Sequence, residues 1–347
     1  MMVVLGIDAH KRTHTAAAAD PVGRLVAAKT VVATSLGHLR LLQWAGQWPQ
    51  RVWAVEDCRH VSRRLESELL AAGETVVRVP PKLMAQVRAS ARTRGKSDPI
   101  DALAVARAYL REPDLPLACL EGESRQVKLL VDYREVLVRE RTQLENRLRW
   151  RLHELFPGYH LRPGSLGRYR VLDQIRGRLE AERGLVADLA RREVERIREL
   201  TVEINQLETQ IGGLIRRIAP TLLALPGCGV LSAAKLVAET AGVGRFKNRD
   251  AYAMWNGTAP IPVWSGDHQQ HRLNRGGNRQ ANSAIHRIAI TQIRWHPPAA
   301  AYIDRRLANH DTKREALRAL KRRLSDTIYR ALQNDSKPQN NTQPQAA

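Results

Sequence analysis

"VVLGIDAHKRTHTAAAADPVGRLVAAKTVVA", residues 3 to 33, holds three short apolar runs separated by two polar breaks. Val3 to Asp8 is a buried-strand pattern that ends in an acid. "HTAAAAD", the turn "PVG" and "RLVAAKTVVA" then predict two more strands, so the whole stretch reads as a meander.

Outward from it, "SLGHLRLLQWAGQ" has helical periodicity, and "RVWAVED" is a fourth strand that again ends in acids. "VSRRLESELLAAG" predicts a helix closed by Gly73, "TVVRV" a fifth strand, and residues 98–111 another helix. Three strands, helix, strand, helix, strand, helix is the order of a ribonuclease-H-like (RuvC-like) α/β layer, expected over residues 1–112. Beyond Pro113 the pattern changes. Leu130, Leu137 and Leu144 stand seven apart on a charged helix from about 124 to 156, and a Gly/Pro/Tyr loop follows. A second long helix places Ile197, Leu200, Ile204, Leu207, Ile211, Leu214 and Ile218 at steps of three and four, a coiled-coil seam. The pair is expected to fill residues 113–218, either within one chain or between chains.

Pro220 opens a mainly helical third region, 219–332. "LLALPGCGVLSAAKLVAET" has the form of a helix-hairpin-helix, in which Gly227 and Gly229 expose backbone N–H groups to a phosphate; an ordinary tight turn is the other reading. Residues 333–347, "QNDSKPQNNTQPQAA", are too polar to order themselves and predict a disordered tail.

The 347 residues carry 56 Lys and Arg against 35 Asp and Glu, a net charge of +21. That excess implies a polyanionic partner, usually nucleic acid. No apolar run approaches a membrane span, and "MMVVLGIDAHK" lacks the long apolar stretch of a signal peptide. Cys58, Cys119 and Cys228 are isolated and odd in number, which suits neither a disulfide framework nor a zinc site. The expectation is a cytoplasmic, nucleoid-associated protein with no membrane partner.

In "TRGKSDPIDALAVARAYL", residues 93–110, Asp98 can cap the helix with Pro99 first inside it and Asp101 at its third position. The same spacing puts two carboxylates on one helical face. Asp8 ends the first strand and Glu56 the fourth, which are neighbours in a ribonuclease-H-like sheet, with Asp57 the adjacent competitor for the second place. Convergent carboxylates call for a metal, and oxygen ligands favour Mg²⁺ or Mn²⁺. Between Thr75 and Ser97 there are six bases and no acid: Arg78, Lys82, Arg88, Arg92, Arg94 and Lys96, a positive approach to that site.

"GIDAHK", "AVED", "RGKSDPIDALAVARA", the coiled-coil segment and "LPGCGVLSAAKLVAE" resemble the DEDD transposases of bacterial insertion sequences, over about residues 3 to 310. The resemblance implies that Asp8, Glu56, Asp98 and Asp101 bind Mg²⁺ in a RuvC-like domain. It implies that the serine of "WNGTAPIPVWSGDHQQHRLNRGGNRQANSAIHRIA", Ser265, is the nucleophile of a C-terminal domain; on residues alone, Ser265-Gly266 is a turn. Arg272, Arg275, Arg279 and Arg287 flank it as phosphate contacts. "NRGGNRQANSAIH" departs from the more basic pattern expected of the family. Implied too are donor and target DNA, a structured noncoding (bridge) RNA that selects them, and a homo-oligomer, dimer or tetramer. Two rival readings of the residues are a junction-resolving nuclease without a covalent intermediate and a non-catalytic coiled-coil protein that binds nucleic acid.

Overall fold

In the computed structural model, which describes residues 2–81, 83–84, 97–113, 115, 117–118, 122–265 and 268–337, the chain forms two compact units, Met1–Leu120 and Glu121–Ala347. The first is built around β1 (Val3–Ala9), buried along its whole length, as a strand is when both faces of its sheet are covered. On one side β1 pairs antiparallel with β2 (Thr13–Ala19), and β2 with β3 (Leu25–Val32). On the other it runs parallel to β4 (Arg51–Glu56), which runs parallel to β5 (Val76–Val79). The order β3-β2-β1-β4-β5 is that of a ribonuclease-H-like layer.

Alternation along the strands sorts two cores. Leu5, Ile7, Trp53 and Val55 pack with Leu41 of α1 (Ser35–Ala45) and with Leu65 and Leu69 of α2 (Arg59–Ala71). Val4, Ala54 and Val79 pack with Ala104, Val105 and Ala108 of α3 (Asp98–Arg111). Gly6 lies on this second face, where a Cβ would stand 2.0 Å from the Ala102 carbonyl oxygen and 2.6 Å from the Ala106 nitrogen. Only glycine lets α3 lie this close to the central strand. Asp98 is not the cap of α3, as the sequence suggested. Ser97 takes that place, extended at φ −151° and ψ 150°, and its carbonyl accepts the Asp101 N–H at 3.0 Å. Helical bonding therefore starts one residue earlier, with Asp98 first and Pro99 second in the helix, where proline's missing N–H costs nothing.

The second unit opens with α4 (Gly122–Leu155), α5 (Tyr169–Leu179) and α6 (Leu185–Ile218). α4 and α6 form an antiparallel hairpin within the chain. Leu137, Leu144, Leu148 and Leu152 meet Val194, Ile197, Leu200, Ile204 and Leu207, while Arg134 pairs with Glu208 at 2.7 Å and Arg196 with Glu140 at 3.0 Å. Then follow α7 (Pro220–Leu223), α8 (Val230–Thr240), α9 (Arg249–Trp255), β6 (Ile261–Ser265), β7 (His268–Arg272), α10 (Arg279–Trp295), α11 (Pro297–Ala308) and α12 (Lys313–Asp335). The far end of the hairpin enters their core: Val127, Val131, Ile211 and Ile215 cluster with Leu236, Ile285, Ile288 and Ile328. The segments set apart at residue 218 thus share one core.

α12 also runs three residues into the stretch expected to be disordered. Ala331 and Leu332 are buried, and the Asp335 carboxylate accepts the Thr221 and Leu222 N–H groups at 2.9 and 3.0 Å, capping α7. Residues 338–347 lie outside the described residues. Among the described residues no helix is long and apolar enough to cross a membrane.

Candidate active site

Asp8 sits at the end of β1 on the α3 face, 5 % exposed, and Asp101 on α3 is 8 % exposed. Asp98, one turn earlier, is half exposed. His10 stands between them, its Nε2 3.1 Å from Asp8 Oδ2 and 3.6 Å from Asp98 Oδ1. The ligand atoms of Asp8, His10 and Asp98 all lie within 4.8 Å of one another. Burial pushes the Asp8 carboxyl above its ordinary range, His10 draws it back, and the charges of Asp101 and Asp98 push it up again. Asp8 Oδ2 is buried, and His10 is the partner that partly offsets its charge. A buried carboxylate under the charges of two more, offset by one imidazole alone, is costly, and a divalent cation relieves that cost.

The sequence reading passed over His10. Its signal was the two-residue step from Asp8 in "GIDAHK", where the chain turns out of β1 and the His10 N–H closes on the Thr13 carbonyl at 2.9 Å. Glu56 ends β4 beside Asp8, since Ile7 and Val55 are partners in the parallel register. Alternation gives Glu56, the last residue of β4, the face of Ala54 and α3, whereas Asp57 lies beyond the strand end. The positive approach needs one correction. Arg78 is buried, 2.9 Å from Glu66, whose other oxygen accepts the Ser62 hydroxyl at 2.6 Å. It is a strand residue with an inward side chain and a buried partner, so it offers no surface charge. Lys82, Arg88, Arg92, Arg94 and Lys96 lie outside the described residues.

In the second unit, Ser265 ends β6 and pairs through the backbone with His268 of β7, across Gly266 and Asp267, which lie outside the described residues. The base of this hairpin is clamped. Gly257, at φ +74°, crosses Gly277 so closely that a Cβ on Gly277 would stand 2.3 Å from the Gly257 nitrogen. Asn282 donates to the Asn256 carbonyl at 2.8 Å, and Asn278 caps α10 while donating to Glu239 at 2.7 Å. "NRGGNRQAN", which looked like a departure from pattern, supplies this clamp. Arg272 lines a cavity of about 600 Å³, and Arg275 and Arg279 line a neighbouring one of about 580 Å³. Arg287 does not join them: it lines a small pocket with Glu135 and Lys235. Tyr252 is fully buried, its phenol pushed up to about 12 by burial, so its oxygen is no candidate nucleophile. The expected helix-hairpin-helix has a first helix of four residues. Gly227, at φ +75°, packs against the backbone of α10, where a Cβ would meet the Ile288 carbonyl at 3.1 Å, and Gly229 is the exposed cap of α8.

A ribonuclease-H-like layer with clustered carboxylates, continued by a basic helical unit, defines the class of a DNA-acting enzyme. Residues 5–157 match a transposase model of the DEDD type named for IS110, and residues 219–304 match the model of the transposase IS116/IS110/IS902 family. The chain is 26 % identical to an insertion element IS116 protein of Streptomyces clavuligerus, over 95 % of this chain and 94 % of that one. It is 25 % identical to an insertion element IS900 protein of Mycobacterium paratuberculosis, over 81 % and 82 %. A structure of T. thermophilus RuvC in complex with Holliday junction substrate aligns with 34 % of this chain and 100 % of that one, at 16 % identity and a TM-score of 0.27. The chain belongs to the IS116/IS110/IS902 family of transposases.

Proposed function

We propose that this transposase cleaves and rejoins DNA strands by joint action of its carboxylate centre and a serine nucleophile, Ser265. The observation that carries the reading is the cluster of Asp8, His10 and Asp98, whose ligand atoms lie within 4.8 Å of one another, with the charge of Asp101 also acting on the buried Asp8. In this reading Asp8, Glu56, Asp98 and Asp101 would hold a divalent cation, and the ligand atoms that already lie together are those of Asp8, His10 and Asp98; the oxygens suit Mg²⁺, and the imidazole nitrogen beside them also suits Mn²⁺. When bound, such an ion supplies Lewis acidity to a phosphoryl oxygen and to the attacking or leaving oxygen.

The chain's own residues do the rest. Asp8 is fixed by the central strand, and Asp98 and Asp101 by a helix seated on Gly6. The Ser265 oxygen, on losing its proton, forms a bond to phosphorus as the bond to the departing DNA oxygen breaks, and that oxygen takes up a proton. The resulting ester conserves the energy of the phosphodiester, so attack by another DNA end rejoins strands and frees Ser265. Arg272, Arg275 and Arg279 hold strand phosphates, with the amides at Gly227 and Gly229 as further contacts. Donor and target DNA, a structured noncoding RNA that selects them, and a dimer or tetramer of this chain on the cytoplasmic nucleoid complete the reading.

The test is a denaturing gel of labelled donor DNA reacted with wild-type and Ser265→Ala protein. Wild type should give a slow, protease-sensitive band that needs Mg²⁺ or Mn²⁺, and the variant should give none while still binding DNA. Cut strands free of protein from both would make the enzyme a water-using nuclease instead.

A further inference from the structure

Lys321, on α12, lies where the two cavities beside the serine hairpin meet; with Gly257, Leu273 and Asn274 it lines both. Its ammonium donates to Asn282 Oδ1, and among the described residues it makes no ion pair. Three of the cations around it are otherwise engaged: Arg322 pairs with Asp250 and Asp326, Arg306 with Asp311, and Arg323 lies over the Tyr302 ring. Glu315, an acid of the same lining, is spent on the capping box of α12 with Thr312. Burial, and then the charge of Arg318, press the Lys321 pKa below its ordinary range. His286 is likewise lowered by burial and by Lys321. The second cavity therefore brings together Lys321, Arg275, Arg279, His286, Asn282 and Ser283, with no acid among the described residues that line it. A half-buried lysine with free donors in such a place is costly unless an anion completes it.

We propose that this cavity is a phosphodiester site, in which Lys321, Asn282 and Ser283 grip one backbone phosphate of a nucleic acid while Arg275 and Arg279 hold its neighbours. Lys321 is joined to the hairpin base, because the Asn282 that accepts its proton also donates to the Asn256 carbonyl. A phosphate bound here is thereby registered against the strand that ends in Ser265. The inference rests on the nucleic-acid reading of Arg275 and Arg279 but not on the serine chemistry. DNA and RNA share the ligand group, so both are tested.

The experiment measures binding of the full chain to a labelled DNA duplex and to a structured RNA of equal length, across a salt series. Lys321→Gln should bind the true ligand about tenfold more weakly at low salt, as loss of one charge-assisted contact implies. Its plot of log affinity against log salt should flatten by about 0.9 for duplex DNA, or by a similar step for RNA, identifying the source. Lys337→Gln, exposed just beyond the end of α12, is the control. Ser283→Asp supplies an internal anion, so it should give the same loss together with a higher melting temperature. Unchanged affinity and slope for both ligands in Lys321→Gln would overturn the site, as would a lower melting temperature in Ser283→Asp. Ser265→Ala should leave this salt slope intact, so failure of the nucleophile reading and failure of this site are told apart.

Discussion

The Asp8 carboxyl ionises against its own burial and against the charges of Asp101 and Asp98, with His10 giving back part of the cost. Its pKa in the folded chain is therefore above 3.8, the ordinary value. The unfolded chain gives up this proton first as pH rises, so the contribution of Asp8 to stability falls as pH climbs from 3.8 through the raised folded value, and the penalty stands in full at neutral pH. A bound divalent cation reverses it by favouring the ionised form. Thermal melts at pH 7.5 should show wild type gaining stability with added Mg²⁺ or Mn²⁺. Asp8→Asn should melt at or above the metal-free wild type, gain nothing from the ion, and lose strand cleavage. A variant that responds to metal as wild type does, or still cuts, would remove Asp8 from the metal site.

At the scale of elements, the α4–α6 hairpin shows how a periodic seam finds its partner. Ile211 is fully buried and Leu207 nearly so, the first in the C-terminal core and the second in the hairpin core. Burying each side chain is worth roughly 1.5–3 kcal/mol, and a lysine there adds the cost of a buried charge. Replacing Leu207 and Ile211 together by Lys should therefore lower the melting temperature of the second unit steeply. Because the seam is satisfied within the chain, light scattering of the protein that stays folded should show an unchanged mass. A halved mass with little thermal loss would mean that the hairpin pairs between chains.

For the whole molecule, charge is unevenly shared. Residues 1–120 carry 17 basic and 11 acidic side chains, whereas residues 121–347 carry 39 and 24, so most of the +21 excess belongs to the second unit. A surface of that kind binds polyanions by releasing their counterions. Affinity for a duplex of arbitrary sequence should fall steeply with salt, with a log–log slope of several units at about 0.9 per phosphate contacted. A slope below about 1 would mean that the excess charge serves something other than nucleic acid.

Much of this was legible in the chain itself. Alternation and turn residues marked all five strands of the first unit, and steps of three and four marked the seam, because both signals are local and repeat at the period of their element. Asp8, Asp98 and Asp101 could be singled out only as a set, because an acid at a helix start is by itself an ordinary capping or dipole residue. What the tertiary structure alone decided is who meets whom. His10 joins the carboxylates because a tight turn folds it back. Arg78 leaves the surface because Glu66 of α2 waits for it in the buried layer, and Gly277 matters because Gly257 crosses it from twenty residues away. Lys321 sits beside Asn282 only once α12 packs on α10. Such pairings depend on distances between segments remote in sequence, which no local periodicity encodes.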